Sequence, residues 1–283
     1  MIVVNYRTYD EVAGCLQSLA EQGDERVEVI VVDQACDGSA LQDLSARFPR
    51  VRFDASSRNH GFAAGINRGT ALAQGTYLLL INPDCRIGPR LCETLAGWLD
   101  ANSEFGVVGP LIRNEDGTIQ QSARRFPDIT TAIGGRTSLL SRIMPGNWFT
   151  RRNLLVGSNP AEPITVDWVS GACMMVRRNA FEAVGGMDES FFMYWEDADL
   201  CCRLGKAGWR TAYHPGASVV HSGARASIHS AERSLVAFHL SAYQYVRKHG
   251  SRHSRLLAPL VLAGLEARLA LKLAWRRARH VEP

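Results

Sequence analysis

The stretch Phe191-Phe192-Met193-Tyr194-Trp195-Glu196-Asp197-Ala198-Asp199 sets three carboxylates directly after four aromatic rings. An aromatic face can stack on a sugar ring, and a carboxylate beside it can take the proton of a hydroxyl, so the run has the components of a sugar site. Acids at the start of a helical pattern also complement the helix dipole, which is a sufficient structural reason for them. Asp199 and Arg203 stand four residues apart and are expected to pair with each other.

A second group of acids follows hydrophobic runs. Asp84 comes after Tyr77–Ile81 and Asn82-Pro83. A carboxylate fixed there suits a hard divalent ion, Mg2+ or Mn2+, that takes one or two protein oxygens and fills its shell with diphosphate oxygens. The alternative is a turn residue capping the helix expected near Pro89. Asp33 and Asp37 frame the loop after Val27–Val32, where a carboxylate can accept from a nucleobase imide or from ribose hydroxyls. Alternatively, Asp37-Gly38-Ser39 opens a helix at Leu41 with Ser39 as its cap. His214 and His221 flank a short strand at Ala217–Val220. A lone histidine is more often structural, and His221 becomes a candidate ligand only beside a metal.

These residues need a scaffold, and the hydrophobic pattern supplies one. Strand-like runs at Ile2–Val4, Val27–Val32, Val51–Phe53, Tyr77–Ile81 and Val107–Val108 alternate with helical segments at Glu11–Gln22, Leu41–Phe48, Phe62–Gln74 and Pro89–Ala101. This βαβ rhythm predicts an α/β fold, a mostly parallel, Rossmann-like sheet with helices on both faces. Ligands then sit at the carboxyl ends of the strands, where Asn5, Asp33 and Asp84 lie. The glycine-rich run from Asn59 to Gly69 opens a helix that could face an anion, or simply pack close to the sheet. From Arg113 to Pro163 the periodicity fades, which predicts a long, partly mobile insertion. A strand through Ala172–Val176, a helix over Asn179–Val184 and a helix from Glu196 to near Gly208 follow. The expected division is 1–112 for a nucleotide-binding half, 113–165 for a variable insertion, 166–230 for the half with the catalytic base, and 231–283 for a helical basic tail.

Composition excludes several classes. Of 283 residues, 46% are hydrophobic and 21% charged, ordinary globular values that rule out collagen-like and largely disordered chains. The net charge of +4 is unevenly placed: residues 247–283 hold nine Lys and Arg against Glu266 and Glu282, leaving the rest mildly acidic. That asymmetry points to a tail meeting an anionic surface. Seven cysteines without C-x-x-C spacing suggest a reducing compartment, and the opening Met1-Ile2-Val3-Val4 has no signal-peptide pattern. Leu262, Leu265, Leu269 and Leu273 recur at helical spacing, with Arg268, Lys272, Arg276 and Arg279 as a basic stripe. An interfacial amphipathic helix is expected there, with docking on the body as the alternative.

Taken in order, several motifs form a set. They are Val3-Val4-Asn5-Tyr6, Val31-Val32-Asp33 with Asp37-Gly38-Ser39, Asn59-x-Gly61-Phe62-Ala63-x-Gly65-x-Asn67, Asn82-Pro83-Asp84, Ser170-Gly171-Ala172, Gly186-x-Asp188-Glu189-x-Phe191-Phe192, Glu196-Asp197-x-Asp199-Leu200 and His221. The set resembles glycosyltransferase family 2, in its rhamnosyltransferase-like branch, over about residues 2–225. The resemblance implies a GT-A fold, a nucleotide-sugar donor, a divalent metal and inversion at the anomeric carbon. It makes Asp197 the general base and Asp33 the nucleobase contact, with Asn5, Asp37, Asn59, Gly65, Asn67, Asn82 and Asp84 on the donor side. Asp84 and His221 become the metal ligands, and Tyr194, Trp195 and Glu196 face the acceptor. Gln34 and Cys36 stand where the family often has Asn and Ser, and Asn82-Pro83-Asp84 offers one acid where others offer two.

The reading that follows is a metal-dependent inverting glycosyltransferase of cell-surface polysaccharide synthesis, with dTDP-L-rhamnose as donor and a polyprenyl-linked saccharide as acceptor. It would work on the cytoplasmic face of the membrane, peripherally, with no nucleic acid as partner and a homodimer left open. A UDP-sugar donor or a non-catalytic nucleotide-sugar binder are the alternatives. A nucleotidyltransferase would need a basic glycine-rich loop after the first strand, and Asn5-Tyr6-Arg7-Thr8 is not one.

Overall fold

A computed structural model describes residues 1–35, 37–126, 160–223, 231–252 and 258–279. Cys36 and residues 127–159 of the expected insertion lie outside the described residues. Strand β1 (Ile2–Asn5) pairs in parallel with β2 (Ile30–Asp33) and with β4 (Tyr77–Ile81), and β2 pairs with β3 (Arg52–Ala55). Beyond β4 the order continues through β11 (Cys173–Arg177), β6 (Phe105–Arg113), β12 (Arg210–His221) and β5 (Cys85–Ile87). β11 is antiparallel to both of its neighbours, and β5 is antiparallel to β12. All the other strands on this path run one way, so the sheet is mostly parallel, as the βαβ rhythm predicts.

Alternate residues of the central strands feed two cores. Val3, Val31, Leu79 and Ile81 face α1 (Tyr9–Ala20), α2 (Gly38–Arg47) and α4 (Leu91–Ala101). Ile2, Val4, Leu78 and Leu80 face α3 (Phe62–Leu72), α5 (Arg178–Ala183) and α6 (Glu196–Lys206). Strands covered on both faces read as unbroken hydrophobic runs, which is why β1, β2 and β4 are plain in the sequence.

Several boundaries differ from expectation. β6 is nine residues long where two were expected, its pattern being interrupted by Gly106, Gly109 and Pro110. β12 extends the short strand at Ala217–Val220 back to Arg210, with a register shift between His214 and Ser218 that accommodates Pro215-Gly216. The ends of the expected insertion are stitched to the sheet. β7 (Ile119–Gln120) pairs with β6, β8 (Ala123–Arg124) pairs with β10 (Trp168–Val169), and β9 (Ile164–Val166) pairs with β12. Two further helices, α7 (Ala231–His249) and α8 (Ala258–Arg279), lie against each other, and α7 also reaches α6.

The glycine-rich opening of α3 is explained mainly by packing. A Cβ on Gly65 would lie 2.6 Å from Val4 Cγ1, and one on Gly61 would lie 2.3 Å from the Phe192 carbonyl oxygen. Gly65→Ala therefore gains helix propensity of about 1 kcal/mol but forces α3 off a β-branched, buried neighbour. The net expectation is a loss of about 1–3 kcal/mol, read as a lower midpoint in chemical denaturation.

Candidate active site

The strand ends carry the predicted residues. Asn5 and Asp33, neighbours in register, are fully buried and joined by Asn5 Nδ2 donating to Asp33 Oδ1 at 2.8 Å. The Tyr9 hydroxyl donates to Asp33 Oδ2 at 3.1 Å, and burial followed by the Asp33 charge pushes its phenol up to about 12. Asp37 caps α2, accepting from the Ala40 amide, so the helix begins at Gly38 and the cap is Asp37 rather than Ser39. Gln34 is spent on the backbone of the following loop, accepting from His60 N and donating to Gly61 O. Asn59 accepts from the Gly61 amide. Asn67 bonds both backbone groups of Met187 and the Glu189 carboxylate, so its polar atoms hold the 187–189 loop.

Asp84 is no helix cap. The strand β5 intervenes before α4, whose N-terminal flanking residue is Arg90. Instead, Asp84 Oδ1 lies 3.2 Å from His221 Nε2, and Oδ2 accepts from the Gly223 amide at 3.1 Å. Burial would raise the Asp84 carboxyl, but the His221 contact and the amide hold it below the usual carboxylate range. Asn82 Nδ2 is 3.4 Å from the same His221 nitrogen, and His221 Nδ1 is 2.9 Å from Gln120 Oε1. Asp84, Cys85 and His221 present ligand atoms within 4.8 Å of one another. Burial drives the Cys85 thiol far up, and its Sγ donates to the Ala172 carbonyl, so it stays a thiol behind the site. A carboxylate oxygen and an imidazole nitrogen facing each other fit a divalent cation.

Asp197 opens α6, with Oδ2 accepting from the Gly171 amide at 2.8 Å and Oδ1 from Ala198 N at 2.8 Å. Burial raises its carboxyl, opposed by these two amides and by Arg124, and the net direction is upward. The turn Ser170-Gly171-Ala172 that holds Asp197 also accepts the Asn82 amide on its Ala172 carbonyl, at 2.9 Å. One three-residue turn thus joins the base candidate to the Asn82–Asp84 segment.

The four aromatics are dispersed rather than gathered into a platform. Phe191 is in the core, Trp195 packs at a tilt against Phe238 and Tyr245 of α7, and Tyr194 meets Phe238 edge-on. Phe192, 46% exposed, is the aromatic of this run left open to solvent. Glu196 is buried, and Oε2 has no partner among the described residues. Burial and the neighbouring Asp197 push its carboxyl far up.

Tyr194 and Trp195 are both left-handed, at φ 69° and 70°, a costly conformation for bulky side chains. α7 holds that turn, and Ser241 Oγ donates to the Met193 carbonyl at 3.0 Å. One helical turn beyond, the fully buried Asp199 binds Arg203 Nε, Lys248 Nζ and His249 Nε2, each at 2.7 Å. The Asp199–Arg203 pair is the one expected from spacing; the α7 partners were not readable, since nothing in the sequence fixes how α7 lies.

Against this geometry, two family descriptions match: Glycosyl transferase family 2 over residues 1–185, and Glycosyl transferase family group 2 over residues 143–274. The chain belongs to glycosyl transferase family 2. It is 33% identical, across 99% of its length and 95% of the relative's, to N-acetylglucosaminyl-diphospho-decaprenol L-rhamnosyltransferase of Mycobacterium tuberculosis. It is 27% identical to rhamnosyltransferase WbbL of Escherichia coli, over 78% of this chain and 82% of that one. Among solved structures, the mannosyltransferase PcManGT of Pyrobaculum calidifontis, in complex with GDP-Man and Mn2+, superimposes with a TM-score of 0.60 at 16% identity, covering 96% of this chain and 74% of that chain. The family member is therefore a glycosyltransferase of GT-A fold, in the rhamnosyltransferase-like branch.

Replacing Asp199 by Ala strands three basic groups in a buried site, which typically costs about 3–5 kcal/mol. Burial opposes it, but His249, Lys248 and Arg203 hold the native Asp199 carboxyl low. Its stabilisation is therefore complete above the unfolded carboxylate range, near 4, and fades as pH falls towards the native value. Denaturation of the two proteins should show a full gap at pH 7 that narrows below about pH 4.

Proposed function

We propose that this glycosyltransferase moves L-rhamnose from dTDP-L-rhamnose to a saccharide carried on a polyprenyl diphosphate, with inversion, in the synthesis of a cell-surface polysaccharide. Support comes chiefly from the near-full-length likeness to a mycobacterial enzyme whose name states a rhamnosyl transfer to a lipid-linked sugar. In this reading residues 1–112 form the donor half and 166–230 carry the base.

Asp197 takes the acceptor hydroxyl proton. Its raised carboxyl is a stronger base than an exposed aspartate, and the Gly171 and Ala198 amides, one on each oxygen, orient it. Asn5, Asp33 and Tyr9 form the floor under the nucleobase and ribose, and Phe192 offers a face for a sugar ring. Asp84 and His221 would hold the divalent cation, Mg2+ or Mn2+, with Asn82 at its edge. When bound, the cation neutralises charge building on the departing diphosphate.

Asp197→Asn keeps the shape and loses the base, so kcat should fall about 10²–10⁴-fold while donor binding stays near wild type. Radiolabelled transfer and donor titration read the two separately. A variant with a quarter of wild-type turnover would remove Asp197 from this role, and preferential turnover of a UDP-sugar would replace the donor assignment.

The exposed leucines of the tail are not those of the expected stripe. Leu262, Leu265 and Leu269 are half-buried, whereas Leu260 and Leu271 are 70% and 72% exposed. The side chains of Arg268, Lys272, Leu273, Arg276 and Arg279 lie outside the described residues. Among the described residues no helix is long and apolar enough to cross a membrane. On this reading α8 lies on the leaflet through its Leu260 and Leu271 side. Replacing both leucines by Glu should lower co-sedimentation with anionic liposomes and turnover of a polyprenyl-linked acceptor, without changing transfer to a short soluble acceptor. Undiminished sedimentation would exclude this face.

A further inference from the structure

The hairpin of β6 and β7 ends on Gln120, a residue with no place in the family motifs, and its amide is fully oriented. Gln120 Nε2 donates to the His221 carbonyl at 2.8 Å and to Asn114 Oδ1 at 2.6 Å. Asn114 in turn is fixed because its Nδ2 donates to Thr118 Oγ1 at 2.7 Å, and that hydroxyl donates to the Asp116 carboxylate at 2.5 Å. A carboxylate only accepts, so each donor and acceptor along the chain from Asp116 is determined. With Nε2 committed to two acceptors, Gln120 must present Oε1 to His221 Nδ1, at 2.9 Å. An amide oxygen accepts, and so Nδ1 carries the proton.

The consequence falls on the other ring nitrogen. Nε2 is then the ring nitrogen left to coordinate, and it faces Asp84 Oδ1 at 3.2 Å. A cation bound there takes a lone pair from each. Asn82 Nδ2, at 3.4 Å, gives Nε2 at most a long hydrogen bond. We infer that Gln120 is a positioning residue for the divalent cation: it fixes the tautomer and ring orientation that make His221 Nε2 a ligand beside Asp84. This rests on the reading of Asp84 and His221 as the cation site. Partners of this kind typically change metal affinity about 10–100-fold when removed. The ends of the segment read as a variable insertion thereby take part in the site.

The test uses Mn2+ alone, titrated into the full-length protein and followed by the paramagnetic resonance of the free ion. Gln120→Leu should weaken Mn2+ binding about 10–100-fold. Asp84→Ala should abolish binding. Wild-type affinity in Gln120→Leu, with Asp84→Ala defective, would overturn the role of Gln120 and leave the cation site standing. Wild-type affinity in Asp84→Ala would overturn the cation site itself. A fold-independent check uses the unaltered protein: at pH 8.5 without metal, long-range 1H–15N correlations of His221 should show the Nδ1–H tautomer, and the Nε2–H tautomer would refute the inference whatever the variants do.

Discussion

The turn Ser170-Gly171-Ala172 is the constraint on which the site depends. Its Gly171 amide holds Asp197 and its Ala172 carbonyl holds the Asn82 amide, two residues before Asp84. The turn precedes β11, and β11 pairs antiparallel with β4, the strand that ends at Asn82. Reversing this strand in a mostly parallel sheet brings the entry to β11 beside the exit of β4. A parallel strand would have put that turn at the opposite edge, far from Asp84. The antiparallel β11 is thus what allows residues more than a hundred positions apart to share a site.

The opposite side of Asp197 is held by charge and by packing. Two left-handed aromatic residues precede α6, and their cost, on the order of 1–3 kcal/mol each, persists only where the surroundings over-determine them. α7 does that through Phe238, Tyr245 and Ser241, while Asp199 gathers Arg203, Lys248 and His249 around one buried carboxylate. Lys248 also reaches Asp188, whose carboxyl is lowered to about 2, against burial, chiefly by that ammonium. Both ends of the 188–199 segment are consequently tied to α7, and the first turn of α6 has little freedom to carry Asp197 elsewhere.

What could be read from sequence divides along physical lines. The doubly covered strands β1, β2 and β4 were legible because burial on both faces leaves uninterrupted hydrophobic runs, and the polar residues at their ends stood out by contrast. Asp84, Asp197 and His221 were legible as an ordered set, and the structure brings Asp84 and His221 to 3.2 Å. The length of β12 was hidden by Pro215-Gly216, which reads as a turn but sits in a bulge. The aromatic platform was overread, because adjacency in sequence does not say which rings a later helix will cover. Gln120 was invisible: an amide at a hairpin end is ordinary until the atoms around it are known.

Charge balance links these features to how the site would be used. Asp84 would supply a bound cation one negative charge and an imidazole ligand none, so the two would leave half of a divalent cation's charge uncompensated. Cys85 cannot make up the difference, because burial keeps it a thiol. Such a site would be completed by its substrate: a diphosphate would contribute the missing charge, so cation and donor would stabilise each other. Families with two acids can hold a cation ahead of the donor more firmly. With a single acid, the orientation of the one imidazole carries more of the affinity, and a chain of side chains reaching back to Asp116 is what fixes that orientation.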